Sequence, residues 1–340
     1  MAMFKDPFWF AIRCIHIGMK SLTKGKYRAL IYGFFPHYYA SLSNKYLESL
    51  LFFLKQKILK IFMIDLFLVL VLIPVGLLAG FLAGLFGIGG GIILVPAIYY
   101  VQSLTGASGG GLSAMHVAVG TSLAVIVPTG MSSALAHWRH GSVRFDILSR
   151  LAPGVVIGAT AGIITAAALD GPVLKVLFAC VISVLAAYMI LSPDNKHVLK
   201  ASPHPVIHIL AGAGIGSIST LIGIGGATLS VPFMRSFATP VTQSVGTASV
   251  IGLLISIPGA IGFLVLGLLL PQSDPVTSGF SPLIGYIHWL GWLIIVPCSV
   301  LMAPFGVKAA HKVSEKLLKR LFALFMILVS LKMLSEGMGL

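Results

Sequence analysis

The chain has 340 residues, 57% of them hydrophobic and only 9% charged, with a mean hydropathy of +1.01. So much apolar surface excludes a soluble globular domain, because several separate stretches exceed the roughly 18 apolar residues that cross a bilayer. Lys and Arg outnumber Asp and Glu 23 to 9, a net charge of +14; in a polytopic membrane protein that excess belongs in cytoplasmic loops facing anionic lipid, not on nucleic acid.

Residues 1–62 differ from the rest. Lys20, Lys24, Lys26 and Arg28 precede Tyr32, Phe34, Phe35, Tyr38 and Tyr39. From Tyr46 to Phe62 the apolar Leu47, Leu50, Leu51, Leu54, Ile58 and Ile61 keep helical spacing, with Lys55, Lys57 and Lys60 largely on other faces. This reads as an amphipathic helix, either lying in the lipid interface or packed as an extension against the membrane body. No apolar run with a small-residue cleavage site opens the chain, so no cleavable signal peptide is expected. Cys14, Cys180 and Cys298 are far apart, without metal-ligand spacing, and read as structural thiols.

Apolar segments follow at 64–86, 91–102, 113–138, 147–168 and 172–192, then at 205–222, 227–238, 241–270, 283–305 and 317–336. The second of each five is too short to cross comfortably at 1.5 Å per residue. Between the first and second lies GIGGGIILVP at 87–96, inside a stretch without a charged residue from Leu66 to Trp138. Backbone that leaves the helix within a bilayer has no water to satisfy it, and is tolerated only when buried in protein or lining a polar cavity. The phrase returns as GIGGATLSVP at 223–232, a step of 136. VGT at 119–121 returns at 245–247, and LKVLFA at 174–179 returns as LKRLFA at 318–323. The sequence therefore predicts an all-α polytopic membrane protein of two homologous halves, 63–200 and 201–340, behind the extension 1–62. Each half has a glycine-broken helix hairpin and three further transmembrane helices, and a broken helix at matching places in two halves points to a transporter's binding site.

Orientation follows from charge. Arg139, Arg144 and Arg150 lie between the third and fourth segments of the first half, whereas Lys308, Lys312, Lys316, Lys319 and Arg320 lie between the fourth and fifth of the second. If both basic loops are cytoplasmic the halves are inverted, and the loop at 272–281 falls outside. Lys55, Lys57 and Lys60 stand against this scheme, which starts the first segment outside. Glycines spaced by four, at Gly76, Gly80 and Gly84, at Gly154, Gly158 and Gly162, and at Gly212 and Gly216, read as faces for close helix packing.

At the breaks, helix N-termini carry unpaired amides and partial positive charge, which suits an anion. The candidate substrate-binding residues are Gly87, Gly89, Gly90 and Gly91 with Gly223, Gly225 and Gly226, joined by the hydroxyls of Thr121, Ser122, Thr247 and Ser249; His116 and Gln243 lie farther out. Arg235 is the single charged residue between Ala201 and Ser273, placed either to draw an anion inward or to snorkel to the interface. No Asp or Glu sits in mid-span, with Asp65 and Asp170 at segment ends, whereas a bound cation would call for an intramembrane carboxylate. A proton carrier would have to be His116, His208 or His288. Paired carboxylates, HExxH and GxSxG are missing from the spans, so an enzyme is not expected, nor a cofactor or bound metal. GIGGG lacks the Lys-Ser/Thr of a phosphate-binding loop.

The glycine phrases, the VGT pair and the LKxLFA pair together resemble the TauE/SafE family of membrane transporters, also called sulfite exporters, over about residues 64–340. The resemblance implies a multi-pass carrier of small anions, often sulfite, sulfoacetate or other organosulfonates, usually in a bacterial inner membrane. The family's glycine phrases fall on Gly87, Gly89, Gly90 and Gly91 and on Gly223, Gly225 and Gly226; Ala227 stands where the first copy has Gly91, and the extension is a departure from the family pattern. An anion channel or a carrier of a non-sulfur organic anion is the alternative. The coupling ion, proton or sodium, and a homodimeric state are left open.

Overall fold

Helices form over most of the apolar runs. The computed structural model describes residues 69–87, 89–105, 112–191, 204–237, 239–269, 283–310 and 315–337; the amphipathic stretch at 46–62, its lysines and the loop at 272–281 lie outside the described residues. In chain order the helices are α1 (Val69–Phe86), α2 (Gly91–Thr105), α3 (Leu112–Arg139), α4 (Phe145–Ala168), α5 (Gly171–Leu191), α6 (Pro205–Ile222), α7 (Ala227–Arg235), α8 (Val241–Leu269), α9 (Trp289–Ala310) and α10 (Glu315–Gly337). Among the described residues seven helices, α1, α3, α4, α5, α6, α8 and α9, are long and apolar enough to span a membrane. With 15 and 9 residues, α2 and α7 are half helices.

One departure from the all-helical expectation lies ahead of α9. Residues predicted to start a helix at 283 form instead a two-stranded antiparallel hairpin, β1 (Leu283–Ile284) and β2 (Ile287–His288), and the helix begins six residues later. Gly285 makes the turn, with φ +59. The hairpin is packed into the end of α8, where Tyr286 N–H donates to the Phe263 carbonyl at 3.3 Å. A second, smaller departure is that α7 stops at Arg235, short of 238.

Small residues set how the helices run past one another. Cβ atoms placed on Gly76, Gly80 and Gly84 of α1 would meet Ile295 and Cys298, then Ser299, then Ala303 of α9. The partner numbers rise together, so α1 and α9 are parallel. Gly154, Gly158 and Gly162 of α4 likewise abut Ile209, Ala213 and Ser217 of α6, again in parallel. By contrast Gly120, Leu123 and Gly130 of α3 abut Phe263, Gly259 and Leu253 of α8, an antiparallel crossing. Backbone carbonyls fill the space a side chain would occupy at the α1–α9 and α4–α6 contacts, as small-residue faces allow without a hydrophobic drive between helices in lipid.

The core gathers around α3, 83% buried along its span against 39% for α8. Leu94, Leu123, Ile126, Leu151, Phe178 and Phe263 are fully buried there, whereas Leu210, Ile164, Val184, Leu268 and Leu301 point outward and suit a hydrocarbon surround. Residues 64–340 form one compact unit.

Candidate functional site

Both glycine phrases break their helices. After α1 the chain turns through Gly87, Gly89 and Gly90 at φ +69, +73 and +78, the left-handed region that costs glycine nothing. Two amides of α2, those of Ile93 and Leu94, then bond the Gly90 carbonyl at 3.0 and 3.1 Å. α6 ends on Gly223 at φ +71, whose amide bonds back to Thr220, and Ile224 N–H reaches the Ser219 carbonyl at 2.9 Å. α7 starts with Leu229 and Ser230 amides on the Gly226 carbonyl.

The two breaks touch. A Cβ on Gly91 would strike the Gly223 carbonyl oxygen, and one on Gly89 would lie 3.5 Å from Gly225 Cα. They are clasped between α3 and α8: Ile126 of α3 packs on Gly89 and Gly91, Ile251 and Ile255 of α8 pack on Gly226, and Gly252 lies near Gly225. All described residues of both breaks are buried, so a solute reaches them only when helices move.

The structure brings some expected side chains to this centre and sends others elsewhere. Ser122 is at the second break, donating from Oγ to the Gly223 carbonyl at 2.8 Å. Ser249 is at the first break, its Oγ 3.0 Å from a Cβ built on Gly87, and bonds Val245 O and Ser133 Oγ. Thr121 and Thr247 are fully buried, but each hydroxyl holds a backbone amide: Thr121 accepts from His288 N–H at 2.8 Å and Thr247 from Arg144 N–H at 2.9 Å. Arg235 ends α7, about 12 Å of helix from the break. Gln243 Oε1 accepts from Arg144 Nη1 at 3.3 Å, and the Arg144 guanidinium grips Asp146 through both terminal oxygens.

The histidines are likewise spread out. His116 bonds the Ala166 carbonyl through Nε2 and lies against the Tyr286 ring, and His208 lies edge-on to Phe233 and Phe237. His137, in the last turn of α3, is buried and its Nε2 meets the Gly84 carbonyl at 3.1 Å. His288, in the hairpin before α9, accepts the Gly291 amide at Nδ1, which caps the helix, and burial pushes its pKa down. Among the described residues no cluster of His, Cys, Asp or Glu could hold a metal.

Three hydroxyls around the second break escaped the sequence reading. Thr220 Oγ1, Thr228 Oγ1 and Ser230 Oγ are buried without a hydrogen-bond partner, a costly condition for a polar group. At the step of 136 their counterparts are Gly84, Ile92 and Leu94, so the first half has nothing similar. That substitution of hydroxyls for apolar residues inside a repeated phrase was the signal available.

An all-helical bundle with broken helices meeting in its buried centre is the build of a polytopic membrane transporter. Similarity agrees. The family described as "Sulfite exporter TauE/SafE" matches residues 72–333, and the chain belongs to that family. It is 35% identical over 265 residues to a probable membrane transporter protein of Haemophilus influenzae, covering 78% of this chain and 97% of that one. A probable membrane transporter protein of Methanocaldococcus jannaschii is 29% identical, covering 73% of this chain and 88% of its own. Another, YunE of Bacillus subtilis, is 26% identical, covering 78% and 97%. No solved structure matches the chain significantly. The protein is thus a multi-pass membrane transporter of the TauE/SafE family.

Proposed function

We propose that this protein is a secondary carrier of small anions, with sulfite or an organosulfonate as substrate, held between the N-termini of α2 and α7. The observation that carries the reading is the direct contact of two buried helix breaks, one from each half of the chain. Two half-helix N-termini converging there would add their amides and partial positive charge, each dipole contributing roughly 0.3–2 kcal/mol toward an anion. Gly87, Gly89, Gly90 and Gly91 with Gly223, Gly225 and Gly226 supply the backbone, Ser122 and Ser249 stand beside it, and Thr220, Thr228 and Ser230 carry the hydroxyls whose bonds a bound oxyanion would complete. Arg235 attracts the anion toward that end of α7.

The halves, 63–200 and 201–340, act as inverted repeats. Antiparallel α3 and α8, with α1 parallel to α9 and α6 parallel to α4, support this exchange of partners. In that arrangement Arg139, Arg144, Arg150 and Lys308 share one side, the cytoplasmic one by the positive-inside rule, in a plasma membrane that is the bacterial inner membrane. Alternating exposure then follows as the halves rock about the shared centre.

The test is counterflow in liposomes of purified protein, with sulfite, sulfonates, sulfate and carboxylates as competitors and imposed proton or sodium gradients. Saturable exchange inhibited best by sulfite or a sulfonate is expected. Carboxylates competing best would make the substrate a non-sulfur organic anion, and non-saturating flux without exchange would make the protein a channel.

A further inference from the structure

In each VGT phrase the valine lies against a break, Val119 on Gly223 and Val245 on Gly87, while the glycine and threonine reach elsewhere, and their contacts match in detail. Thr121 Oγ1 accepts the amide of His288 at 2.8 Å, and two residues earlier the Tyr286 carbonyl lies 2.5 Å from where a Cβ on Gly120 would be. Thr247 Oγ1 accepts the amide of Arg144 at 2.9 Å, and two residues earlier the Ser142 carbonyl lies 2.6 Å from where a Cβ on Gly246 would be. In each case a glycine and a threonine of one half grip the extended lead-in to the fourth helix of the other half: 286–288 before α9, and 142–144 before α4.

We propose that Gly120–Thr121 and Gly246–Thr247 are reciprocal latches, positioning residues that close the carrier at opposite faces of the membrane and release in turn. Thr121 lies near the start of α3 and Thr247 near the start of α8, and these helices are antiparallel, so the two grips are at opposite ends of the bundle. Both are closed in the structure, as are the breaks between them. Each is short-ranged and glycine-dependent: the hydroxyl reaches the amide only because the neighbouring Cα lacks a side chain, and a close hydrogen bond of this kind is made or lost as a unit. A carrier opening to one side must part the fourth helix of one half from the third helix of the other, which breaks one latch and leaves the other. The inference rests on the transporter reading, and Thr121 and Thr247 then act on the rate of switching instead of touching the substrate.

The test uses the full chain with Cys14, Cys180 and Cys298 replaced and one reporter cysteine introduced at a buried latch position, Ser142→Cys or Ile287→Cys. Purified protein is labelled with a charged thiol reagent. Thr247→Val is expected to raise labelling of Ser142→Cys roughly two- to tenfold, the population change that loss of one hydrogen bond gives, with labelling of Ile287→Cys unchanged or lower. Thr121→Val is expected to do the reverse. Thr121→Ser and Thr247→Ser, which keep the hydroxyl, should label as the parent does, which separates the latch from general loosening. In counterflow the valine variants should change turnover while leaving KM within about twofold, less than the loss of one substrate hydrogen bond. Both reporters rising together, neither moving, or a raised KM with unchanged labelling would overturn the proposal. A parent that labels as expected but carries no anion would refute the transport reading and leave the latches standing.

Discussion

Thr228 and Ser230 illustrate what a single hydroxyl says when its surroundings are known. A buried hydroxyl normally has a partner, since leaving one unmade costs about 1–3 kcal/mol, and these two have none within the protein. If their purpose were structural, removing them would weaken the fold; if they await a solute, removal relieves the fold and weakens binding. Thr228→Val combined with Ser230→Ala is therefore expected to leave the thermal unfolding temperature in detergent unchanged or slightly raised while KM for the transported anion rises roughly five- to 150-fold, as two lost hydrogen bonds of about 0.5–1.5 kcal/mol each imply. Counterflow kinetics beside a melting curve decides it.

His288 makes the residue-scale case for pH. Its Nδ1 accepts the Gly291 amide, so the cap exists only while that nitrogen is unprotonated, and His288 lines a cavity of about 10 Å³ together with Leu72, Ile98, Val101 and Gln102, none of them ionisable. Burial holds its pKa below the usual 6.5. The unfolded chain therefore takes up a proton first as the pH falls, so the stability contributed is complete above 6.5 and is lost below it, down to the lowered folded value. The unfolding temperature should drop as the pH falls below about 6.5, stability being lost at no more than about 1.4 kcal/mol per pH unit. His288→Asn, which keeps a short capping acceptor, should flatten that slope.

At the scale of the element, the glycines divide into two kinds that their spacing already separates, four apart in one and clustered in the other. Those of α1, α4 and α6 are helical and let neighbouring backbones meet, whereas Gly87, Gly89, Gly90 and Gly223 leave the helix altogether. Their substitutions should fail differently. Gly158→Leu drives a side chain into the Ala213 backbone and is expected to cost about 1–3 kcal/mol of stability or more, read as a lowered unfolding temperature and reduced yield. Gly89→Ala or Gly225→Ala, a single methyl at the point where the breaks meet, is expected to cut counterflow severely while the protein still inserts and purifies as a folded species. Normal flux in either would remove the breaks from the mechanism.

For the whole molecule, the prediction concerns sidedness. Inverted halves put Gly141, between α3 and α4, on the same face as Lys308 at the end of α9, and put Ile284 of the hairpin on the other. Single cysteines at the three exposed positions should react with an impermeant reagent in two groups: Gly141→Cys and Lys308→Cys from the cytoplasmic face, Ile284→Cys from the outer face. Reaction of Gly141→Cys and Lys308→Cys from different faces would make the halves something other than inverted copies.

Hydropathy and repetition were enough to read a polytopic helical protein and its two breaks, though of the eight spans predicted seven are long and apolar enough to cross among the described residues, α10 falling short; a bilayer leaves a chain few choices, since an apolar run must close its own hydrogen bonds and a glycine cluster inside it must interrupt them. Charge asymmetry between loops supports an orientation that the cysteine labelling above tests. What no one-dimensional pattern could supply is which surfaces meet. The occupation of Thr121 and Thr247 by amides more than 100 residues away, the hairpin that delays α9, and the orphaned hydroxyls of Thr220, Thr228 and Ser230 all depend on distances across the bundle. A hydroxyl's partner is chosen by what lies within about 3 Å of it, and Thr121, Ser122 and Thr247 each meet a backbone group from the other half of the chain.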